Sequence, residues 1–421
     1  MKEQRSHNHM DVVSALSEAI ARAATPGQIY DMILDVVVRF LGVEKASIMT
    51  YDESISALRI VAARGMDPKI VKKAVVRVGE GISGKVFASH EPILIKDIKA
   101  EGLGSGRERY KTTSLISAPV TCFPLKMGEE ALGVINVTDR SDKSPFTEDD
   151  LRLLTTLSNQ AAAYLHISKL MEEREASLRL RQQLEIARQI QYRLVPENSP
   201  SIEGLDVSGR LITAEKVGGD YYDCFMTDHK KPAFVVADVS GHSIGAALIM
   251  AAFRSAIRAQ REAAFTPSQM VEKINSIIYE DLYQAEQFIS LSYLQYVRSR
   301  QIISYTTAGH PPPVIWRNAS RVFEEIGTDD PLVGIEPRTV FHEKQMVVSK
   351  GDVILMYTDG ITEARNRDGE MFGRIRLLEC LTDAVVGNSR QIVDVVVETV
   401  QAFIDPLTPR DDITALVIKI I

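Results

Sequence analysis

Val235-Val236-Ala237-Asp238-Val239-Ser240-Gly241-His242 is an apolar run that reaches an aspartate and then turns through serine and glycine. Three other stretches of the second half read the same way. They are Gly218-Gly219-Asp220-Tyr221-Tyr222-Asp223, Leu355-Met356-Tyr357-Thr358-Asp359-Gly360, and Arg410-Asp411-Asp412-Ile413-Thr414. Each reads as a carboxylate at the end of an apolar strand, where the strand holds it rigidly and glycine lets the backbone turn sharply. One such aspartate is an ordinary turn or helix cap. Four in one domain read differently, because clustered carboxylates repel one another and persist when a cation neutralises them. All-oxygen ligation points to Mg²⁺ or Mn²⁺ rather than zinc. Two such ions ~3.5–4 Å apart can share a water, lower its pKa and present it to phosphorus. No cysteine or serine stands in an activated constellation that would compete with this reading.

Outward from these aspartates, the second half alternates short strands and helices. Strands are predicted at Leu205 to Leu211, Ala233 to Asp238, Phe288 to Tyr296, Ile302 to Thr307, Val314 to Trp316, Val353 to Thr358 and Ile413 to Ile420. Helices are predicted at Gly245 to Arg261, Pro267 to Asp281, Arg374 to Ala384 and Ser389 to Ile404. Runs of strands with helices in pairs predict an α+β sandwich, two sheets with helices outside them. Upstream, Leu151 to Leu194 contains neither Pro nor Gly, and Leu157, Tyr164, Met171 and Leu178 fall every seventh residue. A parallel coiled coil joining two subunits is one reading, and a solvated connector helix is the other. A register shift beyond Leu178 reads as a stutter. In the first half, residues 11–41 have helical spacing broken at Thr25-Pro26-Gly27. Strands follow at Ser47 to Tyr51, Leu58 to Ala62, Pro92 to Ile95, Ser114 to Val120 and Ala131 to Val137. Thr147 marks a helix start.

The bulk properties bound the function. At 421 residues the chain is too long for one core. A hydrophobic share of 45% and a charged share of 25% exclude disorder. The net charge of −7, without a basic block, argues against nucleic-acid binding. Cys122, Cys224 and Cys380 are scattered and odd in number, which suits reduced thiols in a cytoplasmic protein. No apolar run approaches the ~20 residues that span a bilayer, and the first ten residues lack a secretory core. His7 and His9 read as part of a frayed terminus.

The ordered motifs of the second half resemble the PPM-type (type-2C-like) protein serine/threonine phosphatases, in the SpoIIE-like subfamily of sporulation and sigma-factor regulators. Arg188-Gln189-Ile190-Gln191 with Leu194-Val195-Pro196 resembles the leading helix of that subfamily. The four aspartate stretches follow, with Gly245-Ala246-Ala247-Leu248, Thr307-Ala308-Gly309-His310-Pro311-Pro312, Gly351-Asp352, Glu363-Ala364 and Phe372-Gly373 in order. The resemblance covers roughly residues 185–421. It implies metal ligation by Asp220, Asp238, Asp359 and Asp411, with the Val239 carbonyl and Asp412 contributing and Asp238 bridging two divalent cations, Mn²⁺ or Mg²⁺. Ser243 stands where the subfamily usually has glycine. His242 and His310 are read as proton shuttles or as loop-orienting groups. Asp223 is read as a partner of a metal ligand or as a solvated turn residue, and Trp316 as packing.

Gly79-Glu80-Gly81-Ile82-Ser83-Gly84-Lys85 imitates a dinucleotide or phosphate loop. Val86 stands where the phosphate loop needs Ser or Thr, Asp97 is too early for the dinucleotide acid, and the following segment reads as strand. Residues 11–170 instead resemble a GAF domain, through Val78 to Gly84, Glu91 to Ile95, Leu132-Gly133-Val134-Ile135-Asn136 and Phe146 to Leu151. Only Asn136, Phe146 and Asp150 resemble fragments of a cyclic-nucleotide signature. A small-molecule sensor and a structural dimerisation domain both stay open. The predicted architecture is α+β and multidomain. It comprises a GAF domain over 11–165, a coiled-coil linker helix over 166–195 and an α/β/β/α sandwich phosphatase over 196–421. The expected protein is a cytoplasmic homodimer without membrane insertion. By resemblance it acts on a phosphorylated partner such as an anti-sigma factor antagonist, with a small-molecule or protein signal at the GAF domain. A catalytically silent phosphoprotein-binding module is the alternative.

Overall fold

The computed structural model describes residues 9–21, 26–96, 115–122, 130–196, 201–227, 230–241, 243–263 and 265–421. His7, Asp97 and His242 lie outside them. The chain divides into two compact units, Met1–Leu178 and Arg179–Ile421.

In chain order the first unit contains α1 (His9–Ala21), α2 (Pro26–Leu41), β1 (Val43–Asp52), β2 (Ala57–Arg64), α3 (Pro68–Lys73), β3 (Val75–Arg77), α4 (Gly81–Ser89), β4 (Ile93–Ile95), β5 (Leu115–Cys122) and β6 (Glu130–Arg140). The six strands form one antiparallel sheet in the order β3-β2-β1-β6-β5-β4. Period-2 alternation separates its faces. Ile48 and Ile135 pack under α1 and α2, whereas Met49 and Val134 pack with Val86 of α4. The segment after Gly79-Glu80 is therefore helix, not strand. Gly79 and Gly81 take positive φ, and that tight turn starts α4 where the apolar run alone suggested extension. Because β3 pairs antiparallel with β2, the βαβ context of a dinucleotide loop is still missing.

The helix α5 (Glu148–Leu194) runs unbroken for 47 residues, through the division between the units. Thr147 starts it, with Asp150 N donating to Thr147 Oγ1 and Thr147 N donating to the Asp150 carboxylate. Leu157 and Tyr164 of the seven-residue pattern pack into the first unit's core. They belong to that core rather than to an outer seam. Ile167, Leu170, Met171, Leu178 and Ile186 are exposed.

The second unit continues with β7 (Leu205–Ile212), β8 (Tyr221–Met226), β9 (Pro232–Val239), α6 (Ile244–Ala259), α7 (Pro267–Ala285), β10 (Ile289–Val297), β11 (Ile302–Ala308), β12 (Val314–Arg317), β13 (Val322–Glu325), β14 (Lys344–Val347), β15 (Val353–Tyr357), α8 (Asp359–Thr362), α9 (Gly373–Ala384), α10 (Ser389–Ile404) and β16 (Ile413–Ile420). Two five-stranded antiparallel sheets result, ordered β14-β11-β10-β9-β8 and β13-β12-β15-β16-β7. Phe234, Val236 and Leu294 of one pack against Ile354, Met356 and Leu416 of the other. Val235, Ala237 and Leu291 face outward beneath Met250 and Phe253 of α6 and Ile274 of α7. Val353, Leu355 and Val417 lie beneath Val396 and Val400 of α10. This is the four-layered α/β/β/α sandwich. Trp316 packs beside Phe323 at its edge. Ser243 caps α6, its hydroxyl accepting from Ala246 N at 3.4 Å, so the departure from glycine supplies a helix cap.

Candidate active site

Only Asp238 lies inside the end of a strand, β9. Asp359 follows β15 by one residue and opens α8, while Asp220, Asp411 and Asp412 stand at strand starts. The expectation of four strand ends is corrected by antiparallel pairing. Where β9 ends, β8 begins, and where β15 ends, β16 begins. Starts and ends thus share one edge of the sandwich.

Side chains of the second sheet anchor a carboxylate of the first. Asp220 Oδ2 accepts from Thr358 Oγ1 at 2.8 Å and from Thr414 Oγ1. Thr414 N donates in turn to Thr358 Oγ1 at 3.1 Å. Asp412 accepts from Ala214 N at 2.8 Å and from Asp220 N at 3.3 Å, and its own N–H donates to Asp411 Oδ1 at 2.9 Å. Glycine makes this density possible. A Cβ on Gly218 would stand 1.8 Å from Asp412 Oδ2, and one on Gly360 would stand 1.9 Å from the Asp412 carbonyl. A Cβ on Gly219 would stand 2.5 Å from the Val239 carbonyl, the peptide oxygen singled out from sequence.

The electrostatics all run one way. Burial, then the charges of Asp359, Asp411 and Asp412, push the Asp238 carboxyl up to about 8. Asp220 is raised by burial and then by Asp238 and Asp412, against its two threonine donors. Asp359 is raised by burial, Asp411 and Glu363. Asp412 is raised chiefly by burial, which outweighs the backbone donors of Ala214 and Asp220. These carboxylates can share the pocket when protons or cations neutralise them. The donor set fits a hard cation: carboxylates with a neutral peptide carbonyl among them. Among the described residues no three acidic, histidine or cysteine side chains close into a cage by themselves.

Other residues sort clearly. Asp223 is fully buried, paired with Arg258 at 2.7 and 2.8 Å and bonded by the Tyr221 hydroxyl, so it is not a solvated turn residue. Burial lowers the His310 imidazole to about 3, which leaves it neutral and argues against proton shuttling near neutral pH. Its Nδ1 lies 2.7 Å from Ser290 Oγ, and Ser290 is the cross-strand partner of Asp238. It orients the strand edge. Gln191 went unrecognised as a site residue. Buried at the end of α5, its amide donates to the Gly218 carbonyl at 2.6 Å and accepts from Gly218 N at 3.1 Å. Thr358 and Thr414 were equally missed, although both lie within quoted motifs.

Residues 228–421 match the family profile of Stage II sporulation protein E (SpoIIE), and residues 23–166 match that of the GAF domain. Over 240 residues the chain is 26% identical to phosphoserine phosphatase RsbU of Bacillus subtilis (strain 168), spanning 57% of this chain and 70% of that one. Over 189 residues it is 24% identical to phosphoserine phosphatase RsbP of the same organism, spanning 44% of this chain and 46% of RsbP. The SiaA-PP2C domain of Pseudomonas aeruginosa superposes with a TM-score of 0.52 at 19% identity, covering 58% of this chain and 98% of that domain. That last likeness speaks for the fold alone.

Proposed function

We propose that the chain, whose residues 228–421 match the SpoIIE profile and whose residues 23–166 match the GAF profile, removes phosphate from phosphoserine or phosphothreonine on a partner protein. Asp220, Asp238, Asp359 and Asp411, with the Val239 carbonyl and Asp412, would hold two divalent cations, Mn²⁺ or Mg²⁺. The observation that carries this reading is the convergence of Asp220, Asp238, Asp359 and Asp412, all raised by burial and by neighbouring carboxylates, on the charge of Asp411. Bound there, the ions would acidify a water and screen the charge that builds on the phosphate oxygens. Asp238 would be central to holding the ions, because it feels the charge of Asp359, Asp411 and Asp412 together. Thr358 and Thr414 fix Asp220, and the glycines keep the floor free of side chains.

The substrate proposed is an anti-sigma factor antagonist in its phosphorylated form, a reading supported by the likeness to the phosphoserine phosphatases RsbU and RsbP. The proposed domains are a GAF sensor over 11–165, a helical linker over 166–195 and a phosphatase over 196–421. The exposed Ile167, Leu170, Met171 and Leu178 support a coiled-coil homodimer through which the GAF domain sets activity. Phosphate release from phosphoserine proteins, with Mn²⁺ and then with EDTA, tests the enzyme. Release that EDTA abolishes is expected, and no release at saturating Mn²⁺ leaves a binding module instead. Removal of residues 1–160 should alter turnover, and identical kinetics would end the regulatory part.

Gln191 offers a more local check. Gln191→Ala strands both polar groups of the Gly218 peptide in a buried setting, at about 1–3 kcal/mol each. The glycine loop before Asp220 should loosen, and Mn²⁺ should be required at roughly tenfold higher concentration for half-maximal activity. A Mn²⁺ titration unchanged from the wild type would show that the amide only fastens α5.

A further inference from the structure

We propose that Arg365 and Arg410 form a subsite for an acidic side chain of the phosphoprotein substrate, close to the phosphorylated residue. The inference rests on the phosphatase reading above and adds a selectivity determinant to it. A cavity of ≈ 200 Å³ is lined by Arg365, Ile404, Leu407, Thr408, Pro409 and Arg410. Arg410 immediately precedes Asp411, and Arg365 lies two residues beyond Glu363, whose charge acts on Asp359. One of the cavity's lining residues is therefore the chain neighbour of a member of the aspartate cluster.

Its chemistry is opposite in sign to that cluster. Arg365 spends one N–H on the Gly369 carbonyl at 2.9 Å. Among the described residues neither Arg365 nor Arg410 has a carboxylate partner, whereas nearby Arg374 and Arg376 pair with Glu325 and Glu370. Arginines left unpaired around one cavity suit a carboxylate that arrives from outside, because the guanidinium fork binds it through two parallel bonds. Ile404, Leu407 and Pro409 supply an apolar wall, which suits the methylenes of a glutamate. The volume is below the ~300 Å³ where small-molecule sites begin, so a side chain fits better than a cofactor. The hairpin that presents Arg365 is held by the Arg365–Met371 bridge and by Phe372 N donating to the Ala364 carbonyl at 2.7 Å.

The test uses the full chain with Mn²⁺ and pairs of phosphoserine peptides that differ only by Glu or Gln. The varied position is moved across about four residues on either side of the phosphoserine, a reach of about 14 Å in extended chain. At one or two positions the wild type should favour Glu about tenfold in kcat/KM, as one charge-assisted contact warrants. Arg365→Gln and Arg410→Gln should each bring that ratio towards one, and Arg365→Lys should restore only part of it. The ratio is independent of any general loss of activity. A wild-type ratio of one at every position, or a ratio that survives both variants, overturns the proposal. If no peptide is hydrolysed, the phosphatase reading fails, and anisotropy of labelled, unphosphorylated Glu and Gln peptides then decides the subsite. Preference for Glu lost in Arg365→Gln sustains it, and equal binding overturns it.

Discussion

Asp238→Asn should cut phosphate release by on the order of 10³-fold and at the same time raise the melting temperature of the metal-free phosphatase unit. The two effects have one cause. Asp238 is held among Asp359, Asp411 and Asp412, whose charges with burial raise its carboxyl to about 8. An amide of the same shape removes one member of a repelling set, so the fold gains. The same change removes a charged carboxylate from the proposed metal site, and loss of one strongly oriented electrostatic group commonly costs 10²–10³ in rate. Each kcal/mol of relief should appear as about 2–4 °C in a domain of this size. Asp223→Asn supplies the contrast. That carboxylate is buried and accepts hydrogen bonds from Arg258 and the Tyr221 hydroxyl, which an amide can meet only in part, so its melting temperature should fall. Calorimetry and phosphate release on the same samples separate the cases. A drop in both stability and activity for Asp238→Asn would make Asp238 a structural residue.

The metal-free phosphatase unit should also lose stability as pH rises from about 4 to about 8, and Mn²⁺ should restore it most strongly at the upper end. Asp220, Asp238, Asp359 and Asp412 are all raised in the folded state. A raised carboxyl keeps its proton in the fold after the unfolded chain has released it near pH 4. Between the two pKa values folding takes up protons, so stability is present at low pH and drains away as pH climbs through the folded value, about 8 for Asp238. Divalent cations compete with those protons and bind only the folded cluster, so the Mn²⁺-induced rise in melting temperature should grow with pH. Scans of EDTA-treated protein at pH 5, 6.5 and 8, with and without Mn²⁺, measure it. A melting temperature indifferent to both pH and Mn²⁺ would remove the electrostatic basis of the site. In Asp238→Asn the pH slope should flatten.

Much of this was legible along the chain, and its limits are physical. The helices α6, α7, α9 and α10 and the strands β9, β10, β15 and β16 could be read because each carries its own period of apolar residues. α4 was misread, since its start depends on positive φ at Gly79 and Gly81. β8 went unseen as a strand because Tyr221 to Phe225 is buried on both faces and includes the charged Asp223. Arg258, 35 residues away, neutralises that charge. By itself the sequence determined the alternation of elements, the glycine turns and which aspartates stand at strand termini. Those features are local, carried by spacing and backbone freedom. Only the tertiary structure decided that Asp220 rests on Thr414, 194 residues on, that Gln191 grips Gly218, and that Arg365 shares a cavity with Arg410. Contacts between distant residues arise from the pairing and stacking of the sheets, and no periodicity within one segment encodes them.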